Sequence, residues 1–272
     1  MAPLVRALAL LQRYPVALLL PAVAAMLVTT AIHRALFSLP LPKFGHFLIV
    51  IVGLFIAFLL GCLSFLCVAN YVVRSESNSE TPKIRNIFDS LAYPGFARLL
   101  SGLLTRFALA LVIAGALTVL AVGAGFAILK VSTHHPVPRS VSGPAYLWVA
   151  TAAAIIVLSR WVMAIPLFVQ SQGLLKQVFA TSAKSIHGRR TLAVVLTLLT
   201  QAMSYPLLLL TSPLHPHLSQ GAARYVPQLA EIIAAHGFQV VLWTWWMIVM
   251  TMLAMRLQGH DEPSLATPLA AA

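Results

Sequence analysis

Long apolar stretches alternate with short basic ones along this chain, and six apolar runs stand out. They cover about Tyr14–Ile32, Phe47–Val73, Phe107–Leu129, Ala145–Gln170, Thr191–Thr211 and Leu229–Met255. Each reaches the roughly 18–20 residues that carry a helix across the hydrocarbon core of a bilayer. The runs are continuous, whereas a membrane β-barrel is written as short segments of alternating polarity. The expectation is an all-α integral membrane protein. Its membrane domain occupies residues 1–256 and has six transmembrane helices. The last stretch, residues 257–272, is polar and then small and proline-containing, which predicts a disordered cytoplasmic tail.

Two of the basic stretches carry a helical pattern of their own. Ile84, Ile87, Phe88 and Leu91 recur at helical spacing beside Lys83 and Arg85. Leu174, Leu175, Val178, Phe179 and Ile186 form a second apolar stripe, flanked by Lys176, Lys184, Arg189 and Arg190. Such segments suit the headgroup plane, where each basic side chain near an anionic surface gains about 1 kcal/mol. These six cations are the candidate contacts to anionic lipid headgroups. Basic loops that only satisfy the orientation rule are the plain alternative.

Composition agrees with a lipid environment. Apolar residues make up 60% of the chain and charged residues 9%, against about 25% charged in soluble domains. The net charge of +12 comes from 18 basic and 6 acidic residues. With the N-terminus inside, twelve Lys and Arg fall in cytoplasmic loops and five in outer ones, with Arg160 left over in an apolar run. That bias predicts both termini in the cytoplasm. No aromatic-basic interleaving in a polar domain accompanies the charge, so nucleic acid is excluded as a partner. The first run is read as an uncleaved helix rather than a signal peptide, because it is long and lacks a strong small-residue exit. Cys62 and Cys67 lie in one apolar run and predict buried thiols.

Candidate chemistry is sparse. Arg160 sits in the fourth run, six residues before Pro166. One reading is structural: Arg160 snorkels toward the cytoplasmic boundary and Pro166 makes a hinge by freeing the carbonyl of Val162. After that hinge, the following residues are expected to bend into the membrane interface. The other reading has Arg160 facing a polar path, because charges inside a membrane are functional candidates. Gln201 and Ser204 in the fifth run, and Glu231 at the start of the sixth, are candidate substrate-binding partners on that path. Ser64, Tyr205, Gln239 and Thr244 add polar groups to it. Interhelical hydrogen bonds of about 0.6 kcal/mol each explain the same residues without a ligand. Trp243, Trp245 and Trp246 fall mid-helix and read as packing, or as contacts to a large apolar ligand.

No nucleophile motif, zinc-protease motif or phosphate-binding loop is present, and paired carboxylates are missing from the apolar runs. No catalytic residue and no cofactor is therefore expected. His134, His135, His215 and His217 lie in outer loops without a carboxylate or thiol beside them, so no metal site is assigned.

The positions Arg160, Trp161, Pro166, Gln170, Gly173, Thr181, Ser182 and Gly188 resemble a signature of six-helix bacterial inner-membrane proteins. These are the YciC type and the membrane domain fused to some glycerophosphodiester phosphodiesterases. "RYPVALLLPAV" is similar to that family's proline-containing first helix, and "SETPKIRNIFDSL" to its loop between helices two and three. The chain departs from the pattern where the family carries an acid: here stand Gln170 and Ser171. Val178 and Phe179 replace the usual Ala-Leu. The resemblance implies a multi-pass protein of the bacterial inner membrane. It implies no specific activity. The expected function is a non-enzymatic scaffold that organises membrane lipids, a protein partner or a second copy of itself. The alternative is a permease or lipid-handling protein with a path near Arg160, Gln201 and Ser204. A polar, water-filled cavity would favour the permease; a tightly packed interior would favour the scaffold.

Overall fold

Prolines and glycines cut the apolar pattern into its elements. The structure is a computed structural model that describes residues 2–37, 43–77, 84–133, 139–173, 177–210 and 225–261. Every regular element among these residues is helical. The α-helices are α1 (Ala2–Arg13), α2 (Pro15–Phe37), α3 (Lys43–Ser77), α4 (Phe96–Thr133), α5 (Arg139–Leu158), α6 (Ala164–Gln170), α7 (Val178–Ser185), α8 (Arg190–Leu210) and α9 (Tyr225–Asp261). Short 3-10 helices occupy Ile84–Ala92, Ser159–Trp161 and His187–Arg189. Five segments are long and apolar enough to cross a membrane: Pro15–Ile32, Leu48–Glu76, Phe96–Ile128, Val149–Gln170 and His236–Arg256. The chain is a multi-pass membrane protein.

The helices enclose a central space. α2 packs along α3 and α4 along α5; α9 fills in against α2, α3 and α8. Contact is sparse between α3 and α4 and between α5 and α8. The core gathers Leu18 of α2, Leu66, Val68 and Val72 of α3, and Ile248 and Met250 of α9, all fully buried.

Helix α1 does not belong to the apolar-run pattern. Two arginines interrupt it, so the first run was expected to begin at Tyr14. It forms because Leu4, Ala7 and Leu11 share a face at helical spacing, with Ala7 and Leu11 buried. Pro15 then takes the first position of α2, where its missing N–H costs nothing. The indole Nε1 of Trp245 donates to the carbonyl of Leu4 at 3.4 Å and ties α1 to α9. Arg6 pairs with Glu76 at the end of α3.

The fourth run is broken, and not where Pro166 alone would put a hinge. The break covers Ser159–Met163, and Pro166 lies in the first turn of α6. A first-turn residue has no intrahelical acceptor for its N–H, so proline is tolerated there. The ring excludes a continuing helix over the preceding turn, and the chain answers with 3-10 geometry, Val162 N donating to Ser159 O at 3.4 Å. The residues after the break pack into the protein core. Ala164–Val169 are all buried, and α6 is wedged between α3 and α9.

The end of α6 is a tight joint. Gln172 N donates to Val169 O at 3.0 Å and Gly173 N to Phe168 O at 2.9 Å. This is the paired closure of a Schellman motif, with Gln172 in the left-handed region at φ 51°. Gly173 follows at φ 80°, pressed against the Tyr93–Gly95 turn; a Cβ there would lie 2.2 Å from the carbonyl oxygen of Pro94. Asn70 of α3 secures the other side. Its Nδ2 donates to the carbonyls of Asn86 at 2.7 Å and Ile87 at 3.2 Å, and its Oδ1 accepts from Tyr93 Oη at 3.1 Å.

The expected boundaries shift at three points. α4 starts at Phe96, eleven residues before the apolar run was expected to begin, because Pro94-Gly95 supply a turn and Leu99 and Leu103 already face the interior. α9 continues to Asp261, so the first residues assigned to the tail are helical. Residues 262–272, the rest of that tail, lie outside the described residues, as do the four outer-loop histidines. The basic stretch from Ile84 is a 3-10 helix that buries Ile87 and leaves Phe88 and Leu91 exposed.

Gly173→Ala is expected to lower stability by roughly 1–3 kcal/mol, the usual cost of forcing a group into a filled space. Gly188→Ala, where a Cβ would meet nothing within 4 Å, should stay within about 0.5 kcal/mol of the parent. Thermal unfolding of both variants in detergent micelles checks the contrast.

Candidate functional site

Beside the break between α5 and α6, the bundle does not close. A cavity of about 620 Å³ remains between α2, α3, α4, the α5–α6 break, α8 and α9. That volume lies in the range of roughly 300–1,000 Å³ typical of ligand sites. Along α2 the lining runs from Ala22 to Thr30, about 12 Å at 1.5 Å per residue. On α9 it runs from His236 to Met247, roughly 16 Å by the same rise.

The walls are mostly apolar, and their polar groups are largely turned on themselves. Thr29 Oγ1 donates to its own helix at Ala25 O, 2.7 Å away. Thr197 Oγ1 donates to Ala193 O at 2.7 Å and accepts from Trp246 Nε1 at 3.0 Å. Ser159 Oγ donates back to Ile156 O at 2.7 Å. Such back-bonding hides hydroxyls from the space they border. Ser64 Oγ is buried without a partner. Among the described residues the cavity wall is therefore mainly apolar, and the interior there is not fully packed.

Among the described residues, one permanent charge lies in its wall. Arg106 of α4 lines the cavity, ten residues or about 15 Å from the start of its helix. Its guanidinium stacks over the Phe179 ring, 3.7 Å from the centroid, and lies 5.3 Å from that of Trp161. Gly102 makes the stack fit, because a Cβ at that position would stand 2.3 Å from Phe179 Cε2. Arg106 Nη1 donates to Gly102 O at 3.0 Å. Its Nε is buried without an acceptor.

Arg160 lies elsewhere. Its side chain is exposed and does not line the cavity; its carbonyl accepts Ser182 Oγ at 3.3 Å. The arginine that reaches into the break is Arg190. Its Nη2 donates to Ile156 O at 2.9 Å and its Nε to Ser159 Oγ at 3.3 Å. Lys184 is exposed on α7. Gln201 and Ser204 belong to α8, Glu231 to α9, Arg85 and Arg189 to 3-10 helices, and their side chains lie outside what the structure describes. Lys83 and Lys176 lie outside the described residues. Among the other polar groups named above, Ser64 and Gln239 line the cavity, as do Trp243 and Trp246, while Trp245 turns to α1. Thr244 is buried with its Oγ1 unpaired.

Sequence reasoning passed over Arg106 because it stands one residue before the apolar run at Phe107 and was counted with the loop. The signal was available in "PGFARLLSGLLTRFALAL", where leucines at helical spacing precede the arginine after a turn.

These features describe a multi-pass membrane protein whose helix bundle holds a mainly apolar cavity with Arg106 at its wall. Comparison with protein-family models, with curated proteins and with solved structures finds no match for this chain.

Arg190→Met should remove a donor from the carbonyl of Ile156 and lower stability by about 1–3 kcal/mol. If Arg190 serves the helix break, the loss is the same in zwitterionic and in anionic bicelles. If it serves the headgroups, the loss grows with anionic lipid. Thermal unfolding in the two bicelle compositions reads the difference.

Proposed function

We propose that this chain is a non-enzymatic, lipid-handling protein that holds a long apolar molecule inside its helix bundle. The observation that carries this reading is the cavity: about 620 Å³, apolar in its walls and elongated along the helices. Protein interiors otherwise pack to crystal-like density. A void of this size without an occupant forfeits dispersion contacts on all its walls. A scaffold would gain nothing from leaving it open. The sparse packing of α3 on α4 and of α5 on α8 supports two lateral routes by which a lipid chain enters.

The setting of this activity is the bacterial inner membrane, spanned six times. α8 has 21 residues, enough at 1.5 Å per residue for a hydrocarbon core of about 30 Å. Its stretch Arg190–Thr200 is apolar. An even number of spans places both termini on one side, and the lysine and arginine bias places that side in the cytoplasm. The six-helix plan and the Arg160–Gly188 pattern are the grounds for a relation to the YciC-type family. The exposed Lys184, with Lys83, Arg85, Lys176 and Arg189, supports contact with anionic headgroups on the cytoplasmic leaflet. A protein partner or a second copy remains compatible with the apolar outer faces.

A fluorescent-protein fusion at the C-terminus should mature and glow, and an alkaline phosphatase fusion at the same point should be inactive. The reverse pattern overturns the orientation. The cavity is tested at Gly61 of α3, where a Cβ would meet nothing within 4 Å and would face open space. Gly61→Phe fills that space. Native mass spectrometry of the gently extracted parent should show a retained lipid, and the variant should lose it while remaining folded. The variant's melting temperature should equal or exceed the parent's, since replacing a mid-helix glycine gains up to about 1 kcal/mol. A parent without adduct, or a variant that keeps it, defeats the lipid-handling reading.

A further inference from the structure

We infer that the cavity selects an acidic amphiphile, and that Arg106 receives its carboxylate or phosphate oxygens while the chain lies along the apolar walls. The inference deepens the lipid-handling reading and rests on it. Among the described residues, Arg106 is the only permanently charged one that lines the cavity. The ion pairs among those residues are Arg6 with Glu76 and Arg74 with Asp89, and Arg106 has none. A guanidinium offers five N–H donors. One carbonyl, that of Gly102, is recorded as its acceptor, and Nε is buried with none. An unpaired cation this far inside an apolar bundle is a functional candidate by default.

Two aromatic rings fix the cation: Arg106 Cζ lies 3.7 Å from the Phe179 centroid and 5.3 Å from that of Trp161. The donors of a guanidinium match the paired oxygens of a carboxylate or a phosphate. The rest of the cavity extends from Arg106 and Trp161 past Gly61 and Trp243 toward Thr29 and His236, and it carries no second permanent charge among the described residues. One anionic head at one end and one apolar chain beyond it satisfy both parts. A sugar, a peptide or a diacid would leave polar groups against apolar walls.

Trp161, Trp243 and Trp246 line the cavity, so a brominated chain inside it quenches tryptophan fluorescence. Four probes with the same brominated chain distinguish the sources of the anion: the fatty acid, its methyl ester, the lysophosphatidic acid and the lysophosphatidylcholine. Full-length protein in detergent micelles is titrated with each. The acid or the phosphate monoester should bind roughly tenfold or more tighter than the ester and the choline lipid, the range of a hydrogen bond to a charged group. The tighter of the two names the headgroup. In Arg106→Met the preference should collapse to within about twofold, and in Gly61→Phe every probe should weaken.

A parent that binds the ester as tightly as the acid, or a preference that survives Arg106→Met, overturns the assignment of Arg106. Weakening of all probes by Gly61→Phe would then leave the cavity reading standing by itself. No effect of Gly61→Phe on any probe ends both. If Arg106→Met does not fold, Arg106→Lys carries the test. A lysine keeps the charge but loses the two-pronged grip, so the acid preference must fall severalfold, and an unchanged preference overturns the inference.

Discussion

A carbonyl released from a helix within a membrane-crossing segment has no water to turn to and must find a donor in the protein. The break between α5 and α6 creates that demand, and Arg190 meets it at Ile156 with Ser159 alongside. Ser182 adds a bond to the carbonyl of Arg160 from α7. Three elements that are separate in sequence thus converge on one interrupted turn. With the break supported, α6 buries Ala164–Val169 against α3 and α9. The cavity is bordered by the interrupted turn.

The joint at the far end of α6 shows the same economy. Asn70 directs both amide donors and its carbonyl oxygen at the Asn86–Tyr93 stretch, and Tyr93 in turn leans on Phe168 with centroids 6.2 Å apart. Gly95 and Gly173 meet there backbone to backbone. A satisfied polar network of this kind rigidifies a site more than its separate bonds suggest. Beyond it, Phe179 of α7 comes down on Gly102 and Arg106. The ion pairs at Glu76 and Asp89 are partly exposed and contribute little by comparison.

The cavity wall repeats a rule of apolar surroundings. Hydroxyls there donate back to their own helices, as Thr29, Thr197 and Ser159 do, and the last two also accept from Trp246 and Arg190. Among the described residues the wall is mainly hydrocarbon and carries one permanent cation, Arg106, beside polar side chains such as Ser64 and Gln239.

The sequence by itself determined the solvent and the element type. Runs of about 20 apolar residues dictate membrane-crossing helices wherever they occur, because a backbone in lipid must satisfy its own hydrogen bonds. It also placed the irregularity near Pro166, since proline excludes the preceding turn of helix in any context. Tertiary structure alone decided the rest. Arg160 and Arg190 look alike in one dimension, yet one points outward and the other into the break, because α8 passes the open turn and helix rotation is set by neighbours. Arg106 and Phe179 stand 73 positions apart in the chain, and no local pattern says they stack. A cavity is a failure of distant surfaces to meet, and only the packing of all the helices together determines where that failure lies.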